Sequence, residues 1–72
     1  MEEKFIKEIG ELIRNQRRAR DYSQEYMAKK LAISQSVYSQ IESGKVKCSG
    51  FKLMKIFKLL GIDPGNLLEN VY

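Results

Sequence analysis

The feature of this sequence that most constrains its fold is a three-residue interval between two short helical patterns in the middle of the chain. Ser23 is followed by an acidic first turn and an apolar face, which predicts a capped helix over residues 24–31. Ser34 begins a second pattern, and Gly44 ends it. The connection over residues 32–34 is too short for an antiparallel pair of long helices. The spacing therefore predicts two short helices that meet across a tight turn.

Further helical patterns lie on both sides of this pair. A first helix is predicted to end near Arg20, a fourth to follow the capping residue Ser49, and a fifth to begin at Asp63. No alternating pattern long enough for a strand competes with them. The apolar positions expected to face inward are Phe5, Ile9, Leu12 and Ile13 in the first helix, Met27, Ala28 and Leu31 in the second, Val37, Tyr38 and Ile41 in the third, Leu53, Ile56, Phe57 and Leu60 in the fourth, and Leu67 and Leu68 in the fifth. The sequence thus predicts an all-α fold, a compact five-helix bundle.

The length of the chain limits it to one small core. Its 72 residues fall below the usual domain size of about 100 to 150 residues, so residues 1–72 are expected to form a single domain. No stretch approaches the roughly 18 apolar residues that a membrane-spanning helix needs. The first residues, MEEKFIKEIGE, are too charged for a signal peptide. We therefore expect a cytoplasmic protein.

The residue types on which many enzymes and metal sites depend are missing. The chain has no His, and Cys48 is its only Cys, so a disulfide within the chain, a zinc cluster and a thiol–imidazole pair are excluded. We interpret Cys48 as a small, partly buried apolar side chain. The expectation is a protein that is not an enzyme and binds neither a metal nor a cofactor.

Charge is distributed unevenly along the chain. Residues 9–60 carry eleven Lys and Arg against four acids, a local charge of +7. The two ends together carry two Lys against five acids, a local charge of −3. From charge alone, a polyanionic partner and an ordinary solvated surface explain the basic middle equally well.

The spaced motifs of the chain resemble a known family from Ile9 to Leu68. They are IGELIRNQR, SQEYMAKKLAIS, QSVYSQIESGK and LMKIFKLLGIDPGNLL, in register over about sixty residues. In these features the chain is similar to the phage-repressor and Cro-like helix-turn-helix family of bacterial DNA-binding regulators, also called the xenobiotic-response-element family. The resemblance implies double-stranded DNA as the partner, a helix-turn-helix formed by the second and third helices, and a repressor-like homodimer.

Three positions depart from the usual residues of that family. Ala32 stands where Gly is common in the turn, and in a left-handed backbone an Ala costs about 1 kcal/mol or more. Tyr38 replaces an aliphatic residue, so we expect its hydroxyl to reach a partner or the rim of the core. Cys48 stands where Pro is common, which loosens the loop before the fourth helix. The departures affect stability and loop geometry more than function.

The third helix carries an uncharged polar face. In helix-turn-helix proteins the first part of this helix lies in the major groove. A Gln amide can pair with adenine, whereas the stretch has no Arg or Lys for guanine, so A·T pairs are expected at the contacted steps. The alternative is that these side chains only coat an ordinary surface helix. The predicted base-contacting residues are Gln35, Ser36, Ser39 and Gln40.

Phosphate contacts are predicted on both flanks of the third helix. Gln24 begins the second helix, where its amide joins the positive end of the helix dipole. Lys45 and Lys47 follow the third helix, and the resemblance implies that their loop faces the DNA backbone. The other cations of the middle region are interpreted mainly as solvating the surface; they are Arg14, Arg18, Lys29, Lys30, Lys52, Lys55 and Lys58.

The resemblance also implies an ion pair and a dimer interface. An Arg at the place of Arg17 commonly pairs with an acid at the place of Glu42 in this family, which favours a structural role over DNA contact. A group of apolar residues at the end of the chain exceeds what one short helix needs for anchoring. Leu68, Val71 and Tyr72 are the predicted dimer contacts.

Two other functions remain as alternatives. The fold can serve as a protein-interaction module, such as an antitoxin or adaptor, with weak DNA binding or none. RNA binding is less favoured, because the four Tyr are scattered over different helices and form no stacking platform.

Overall fold

The computed structural model describes residues 2–63, with side chains from residue 3 onward. Four helices make up this part of the chain, and it contains no strand. They are α1 (Glu2–Ala19), α2 (Gln24–Leu31), α3 (Gln35–Ser43) and α4 (Gly50–Leu60). The predicted all-α class is confirmed, with four helices rather than five. The expected fifth helix, with Leu67 and Leu68, lies outside the described residues.

Serine residues are the N-caps of three of the helices. The hydroxyl oxygens of Ser23, Ser34 and Ser49 accept hydrogen bonds from the N–H groups of Tyr26, Val37 and Lys52, at 2.9, 3.1 and 3.2 Å. Each bond satisfies a backbone donor that the helix itself leaves without an acceptor. The predicted starts of α2, α3 and α4 are therefore confirmed.

The turn between α2 and α3 depends on a left-handed residue that is not Gly. Ala32 has φ 56° and ψ 43°, and its N–H donates to Lys29 O at 3.2 Å. The next residue, Ile33, donates its N–H to Ala28 O at 3.0 Å. These bonds end α2 as a Gly would end it, although the Cβ of Ala32 is strained in this conformation.

We expect Ala32→Gly to raise the free energy of unfolding by about 1 kcal/mol, because Gly adopts a left-handed backbone without steric cost. Urea unfolding followed by circular dichroism measures this. Ala28→Gly, in the buried face of α2, is the control and should lower stability by about 1 kcal/mol. A loss of stability in both variants would contradict the assignment of strain to Ala32.

All four described helices contribute to the core. α3 packs against both α1 and α2, and α4 covers α1 and α2. The buried apolar residues are Ile9, Ile13, Met27, Ala28, Leu31, Tyr38, Ile41, Ile56, Phe57 and Leu60. Because α3 has neighbours on two sides, its rotation about its own axis is determined by packing. Its remaining face is directed to solvent.

A glycine of α1 lies against the backbone of α3. A Cβ placed on Gly10 would overlap the carbonyl oxygen of Glu42 and lie 2.9 Å from the carbonyl oxygen of Ile41. Both carbonyl groups belong to the last turn of α3, so only a residue without a side chain allows α1 to lie this close. Helical periodicity does not reveal this requirement.

Candidate nucleic-acid interface

The four predicted base-contact positions lie on the outer face of α3. Gln35, Ser36 and Gln40 are exposed, and Ser39 is half-buried. On the opposite side of α3, Tyr38 and its neighbours Ile41 and Glu42 are buried. The amide and hydroxyl groups therefore stand on a helix that the core holds in one orientation.

One apolar residue of α3 lies at the edge of this face rather than inside the core. The prediction that Val37 faces inward is wrong, since 39% of its surface is exposed. Residues 38, 41 and 42 fill the space beneath α3, and position 37 lies about 90° of helical rotation from the middle of that buried arc. Val37 therefore adds an apolar group beside Gln40 and Ser36.

The predicted phosphate contacts lie at the start of α2 and in the loop after α3. Gln24 is the first residue of α2 and is half-buried. Lys45 and Lys47 are exposed in the loop after α3. That loop begins at Gly44, whose left-handed backbone (φ 76°) lets Lys45 N–H donate to Gln40 O at 3.0 Å. The backbone at Lys45 is thus tied to α3.

A buried ion pair joins α1 to the end of α3. Arg17 Nε donates to Glu42 Oε2 at 2.6 Å, and Arg17 Nη2 donates to Glu42 Oε1 at 3.2 Å. A third donor of the same guanidinium, Nη1, reaches Tyr22 O at 2.7 Å. Only 8% of Arg17 and 1% of Glu42 are exposed. The two residues form a bidentate ion pair that is almost inaccessible to water.

Two further side chains reach the same carboxylate. Gln24 Nε2 donates to Glu42 Oε1 at 3.2 Å, and Arg14 Nε lies 3.5 Å from that oxygen. Arg14 was interpreted from the sequence as a solvating residue, and its contact with Glu42 was missed. The Gln24 contact means that one of its amide N–H groups is directed inward.

The electrostatics of this cluster keep Glu42 ionised. Burial by itself raises the pKa of Glu42, but hydrogen bonds from Arg17 and Gln24 and the nearby Tyr38 hydroxyl outweigh burial, so the pKa lies below its ordinary value. The hydrogen bond to Glu42 raises the pKa of Arg17. The pair is therefore charged on both sides near neutral pH.

Tyr38 departs from the expectation that its hydroxyl needs a hydrogen-bond partner or the rim. Its ring is fully buried, and its hydroxyl makes no hydrogen bond of good geometry within the described residues. The hydroxyl lies close to the charges of Glu42 and Arg17. Burial raises the pKa of Tyr38 well above its ordinary value, so the phenol stays neutral. Charge–dipole attraction to Arg17 and Glu42 partly replaces the missing bond.

Three further features of the described part of the chain concern membrane spans, metal ligands and Cys48. None of its helices is long and apolar enough to cross a membrane. No group of three or more potential metal ligands forms within residues 3–63. Cys48 is half-buried, and burial raises the pKa of its thiol.

The fold and this surface together define a helix-turn-helix domain, in which α2 and α3 are the two helices of the motif. A family model described as helix-turn-helix (HTH_3) matches residues 13–67, so the chain belongs to that family. The resemblance to phage-repressor and Cro-like regulators is confirmed by this match. The family is one of DNA-binding domains and not of enzymes. Comparison with curated proteins and with solved structures gave no match.

Proposed function

We propose that the protein is a sequence-specific regulator of transcription that binds double-stranded DNA and acts as a repressor in the bacterial cytoplasm. The observation that carries this proposal is the orientation of α3. Packing on α1 and α2 buries Tyr38, Ile41 and Glu42, and the polar row on the opposite side is free to meet a DNA groove. A helix presented in this way fits the width of the major groove.

Base contacts are proposed for the polar row of α3, which consists of Gln35, Ser36, Ser39 and Gln40. The two Gln amides suit the donor and acceptor pair that adenine presents in the major groove. Val37 adds an apolar group of the kind that packs against a thymine methyl. The preferred site is therefore expected to contain A·T pairs at the contacted steps.

Phosphate contacts are proposed for Gln24 on one flank and for Lys45 and Lys47 on the other. Glu42 accepts one N–H of the Gln24 amide, which orients the side chain at the start of α2. The dipole of α2 adds a favourable field for a phosphate oxygen there. Lys45 and Lys47 contribute point charges, which increase affinity for every duplex.

The base-contact and phosphate assignments make different predictions for single substitutions. Gln35→Ala is expected to weaken binding to the preferred duplex by about 1 to 3 kcal/mol and to relax its specificity. Lys47→Ala should weaken specific and random duplexes alike and reduce the slope of log K against log salt by about one unit. Fluorescence anisotropy with both duplexes at several salt concentrations measures these effects. Equal losses on the two duplexes for Gln35→Ala would refute its role in base recognition.

A homodimer is proposed because one α3 reads only a few base pairs. Two copies on half-sites about 34 to 36 Å apart would double the contacted sequence. The proposed contacts, Leu68, Val71 and Tyr72, lie outside the described residues, and the proposal rests on their apolar character and on the family resemblance.

We expect sedimentation equilibrium to show a weak dimer that tightens on a palindromic duplex. The physical reason is that DNA holds two copies in the geometry that the interface needs, which raises their effective concentration. Leu68→Ser combined with Tyr72→Ser should weaken both the dimer and palindrome binding. A strict monomer at high concentration that binds a palindrome one to one would refute the homodimer.

Selection of bound duplexes from a random pool, followed by sequencing, tests the main proposal. Enrichment of an A·T-containing motif is the expected result, and the Gln35→Ala variant should not enrich that motif.

A second candidate function, a protein-interaction module such as an antitoxin or adaptor, is favoured by the exposed side chains of Phe51 and Met54 on α4. Failure to bind any duplex at low salt would favour that second candidate.

A further inference from the structure

A shallow cleft lies between the last turn of α2 and the second half of α4. Its volume is about 250 Å³. The floor is apolar, formed by Leu31 and Leu59, and three lysines surround it: Lys30, Lys55 and Lys58. None of these residues belongs to the proposed DNA-contacting set.

Aromatic rings contact two of the three lysines. Lys55 Nζ lies 4.8 Å from the centre of the Phe51 ring, and Lys30 Nζ lies 5.6 Å from the centre of the Tyr26 ring. Attraction between an ammonium group and a ring face restricts the freedom of a long side chain. Lys30 and Lys55 therefore keep their charges close to α2 and α4, the two helices that border the cleft.

The apolar surface continues from the cleft along α4. Phe51 is 75% exposed and Met54 is 56% exposed, although both are large apolar side chains. With Lys55 and Lys58 they stand at i, i+3, i+4 and i+7, which is one stripe of a helix. We call this stripe together with the cleft the α4 outer face. Contiguous apolar surface with a charged border is typical of a protein contact.

Within residues 3–63, the lysines of the α4 outer face have no acidic partner. α4 contains no acidic residue, and among residues 3–63 no carboxylate pairs with Lys30, Lys55 or Lys58. Lys29, the neighbour of Lys30, differs because its Nζ lies 4.0 Å from Glu25. A second copy placed on the same face would set three lysines against three lysines. A DNA backbone would satisfy the lysines but leave Phe51 and Met54 uncovered.

We propose that the α4 outer face is the docking site for an acidic amphipathic segment of a partner protein. Carboxylates of that segment pair with Lys30, Lys55 and Lys58, while its apolar side chains cover Phe51, Met54 and the floor of the cleft. Electrostatic complementarity selects the partner, and apolar burial holds it. The site shares no residue with the proposed DNA contacts, so DNA and the partner do not compete for the same side chains.

The test is a titration of the isotopically labelled protein with a synthetic peptide, followed by NMR. The peptide has fourteen or so residues, with Leu along one helical face and Glu along the other. The control peptide has the same composition in an order that removes the amphipathic pattern. We expect the first peptide alone to shift the amide signals of the α4 outer face, with affinity that falls as salt rises. No binding, or shifts confined to α3 and the loop after it, would overturn the proposal.

A matched pair of charge reversals separates the cleft from general attraction. Lys58→Glu and Lys29→Glu change the net charge equally, and both positions are exposed. Lys58→Glu should weaken peptide binding by about tenfold or more, and Lys29→Glu by less than about twofold. Equal losses would overturn the proposal. So would a Lys58→Glu variant that weakens duplex binding as strongly as Lys47→Ala, or one that abolishes self-association, since DNA or a second copy would then occupy the face.

Discussion

Gly10→Ala is expected to destabilise the protein by about 3 kcal/mol or more, because there is no room for a methyl group at this position. The new Cβ would overlap the backbone oxygen of Glu42, so α1 and α3 would have to move apart. Backbone atoms at the end of α3 cannot rotate away as a flexible side chain can. The gain of about 1 kcal/mol in helix propensity from Gly to Ala opposes this cost but does not cancel it.

Gly50→Ala is the matched control for this substitution. It also lies in a helix, but a Cβ there would meet no atom within 4 Å, so we expect unchanged or slightly raised stability. Urea unfolding of both variants gives the comparison. If Gly10→Ala unfolded at the same urea concentration as the unaltered protein, α1 and α3 would not approach as closely as the structure describes.

A consequence for the proposed DNA surface follows from the position of Gly10. Displacing α1 from α3 would also separate Arg17 from Glu42, because these residues join the same two helices. A partly folded Gly10→Ala variant should therefore lose affinity for every duplex. The loss of affinity should be smaller when binding is calculated from the concentration of folded protein alone. That result is expected for a residue that acts through the structure.

Removing one member of the buried ion pair is expected to have the second large effect. Arg17→Met leaves the carboxylate of Glu42 without its main partner. Glu42→Leu leaves the guanidinium of Arg17 without a carboxylate to accept its hydrogen bonds. Each change should lower the free energy of unfolding by about 3 to 5 kcal/mol, because an uncompensated charge remains in a site that water hardly reaches. The double variant should recover much of the loss.

A double-mutant cycle with urea unfolding measures this coupling. Arg18→Met, a change of the neighbouring exposed arginine, is the control and should alter stability by less than about 0.5 kcal/mol. Strictly additive losses from Arg17→Met and Glu42→Leu would show that the two residues do not interact. Arg14, at 3.5 Å from the same oxygen, is expected to account for part of the charge compensation that remains in Arg17→Met.

The ion pair also predicts a dependence of stability on pH. The pKa of Glu42 is lower in the folded protein than in the unfolded chain, where a Glu titrates near about 4.3. The stabilisation from Glu42 is therefore complete above that value and is lost as the pH falls towards the folded pKa. Melting temperatures of the unaltered protein and Glu42→Gln should differ by a constant amount from pH 6 to 8. That difference should shrink below about pH 4, and a constant difference down to pH 3 would contradict the ionised pair.

Local chemistry made much of the fold predictable. The starts of α2, α3 and α4 follow from Ser23, Ser34 and Ser49, because a serine hydroxyl satisfies a backbone donor within its own segment. The ends at Gly44 and Gly61 follow in the same way from residues that adopt a left-handed backbone. Such bonds span three to five residues and need no knowledge of the rest of the molecule.

The arrangement of the candidate site was only partly predictable. Helical spacing placed Gln35, Ser36 and Gln40 on the surface, because the buried residues of α3 occupy the other side. Helical spacing misassigned Val37, which is exposed. Position 37 lies at the border of the buried face, where exposure depends on how far the neighbouring helices extend over α3. Helical spacing also missed the contacts of Gln24 and Arg14 with Glu42, which join residues 18 and 28 positions apart.

The sequence by itself therefore determined where the helices begin and end and which family the chain belongs to, because these depend on residues close together in the chain or on a spaced pattern. Tertiary structure alone decided that Gly10 must lack a side chain, and that Tyr38 could be buried beside Arg17 and Glu42 without a good hydrogen bond. The physical reason is that both depend on the distance between α1 and α3. That distance results from the packing of all four described helices, and no single segment contains it.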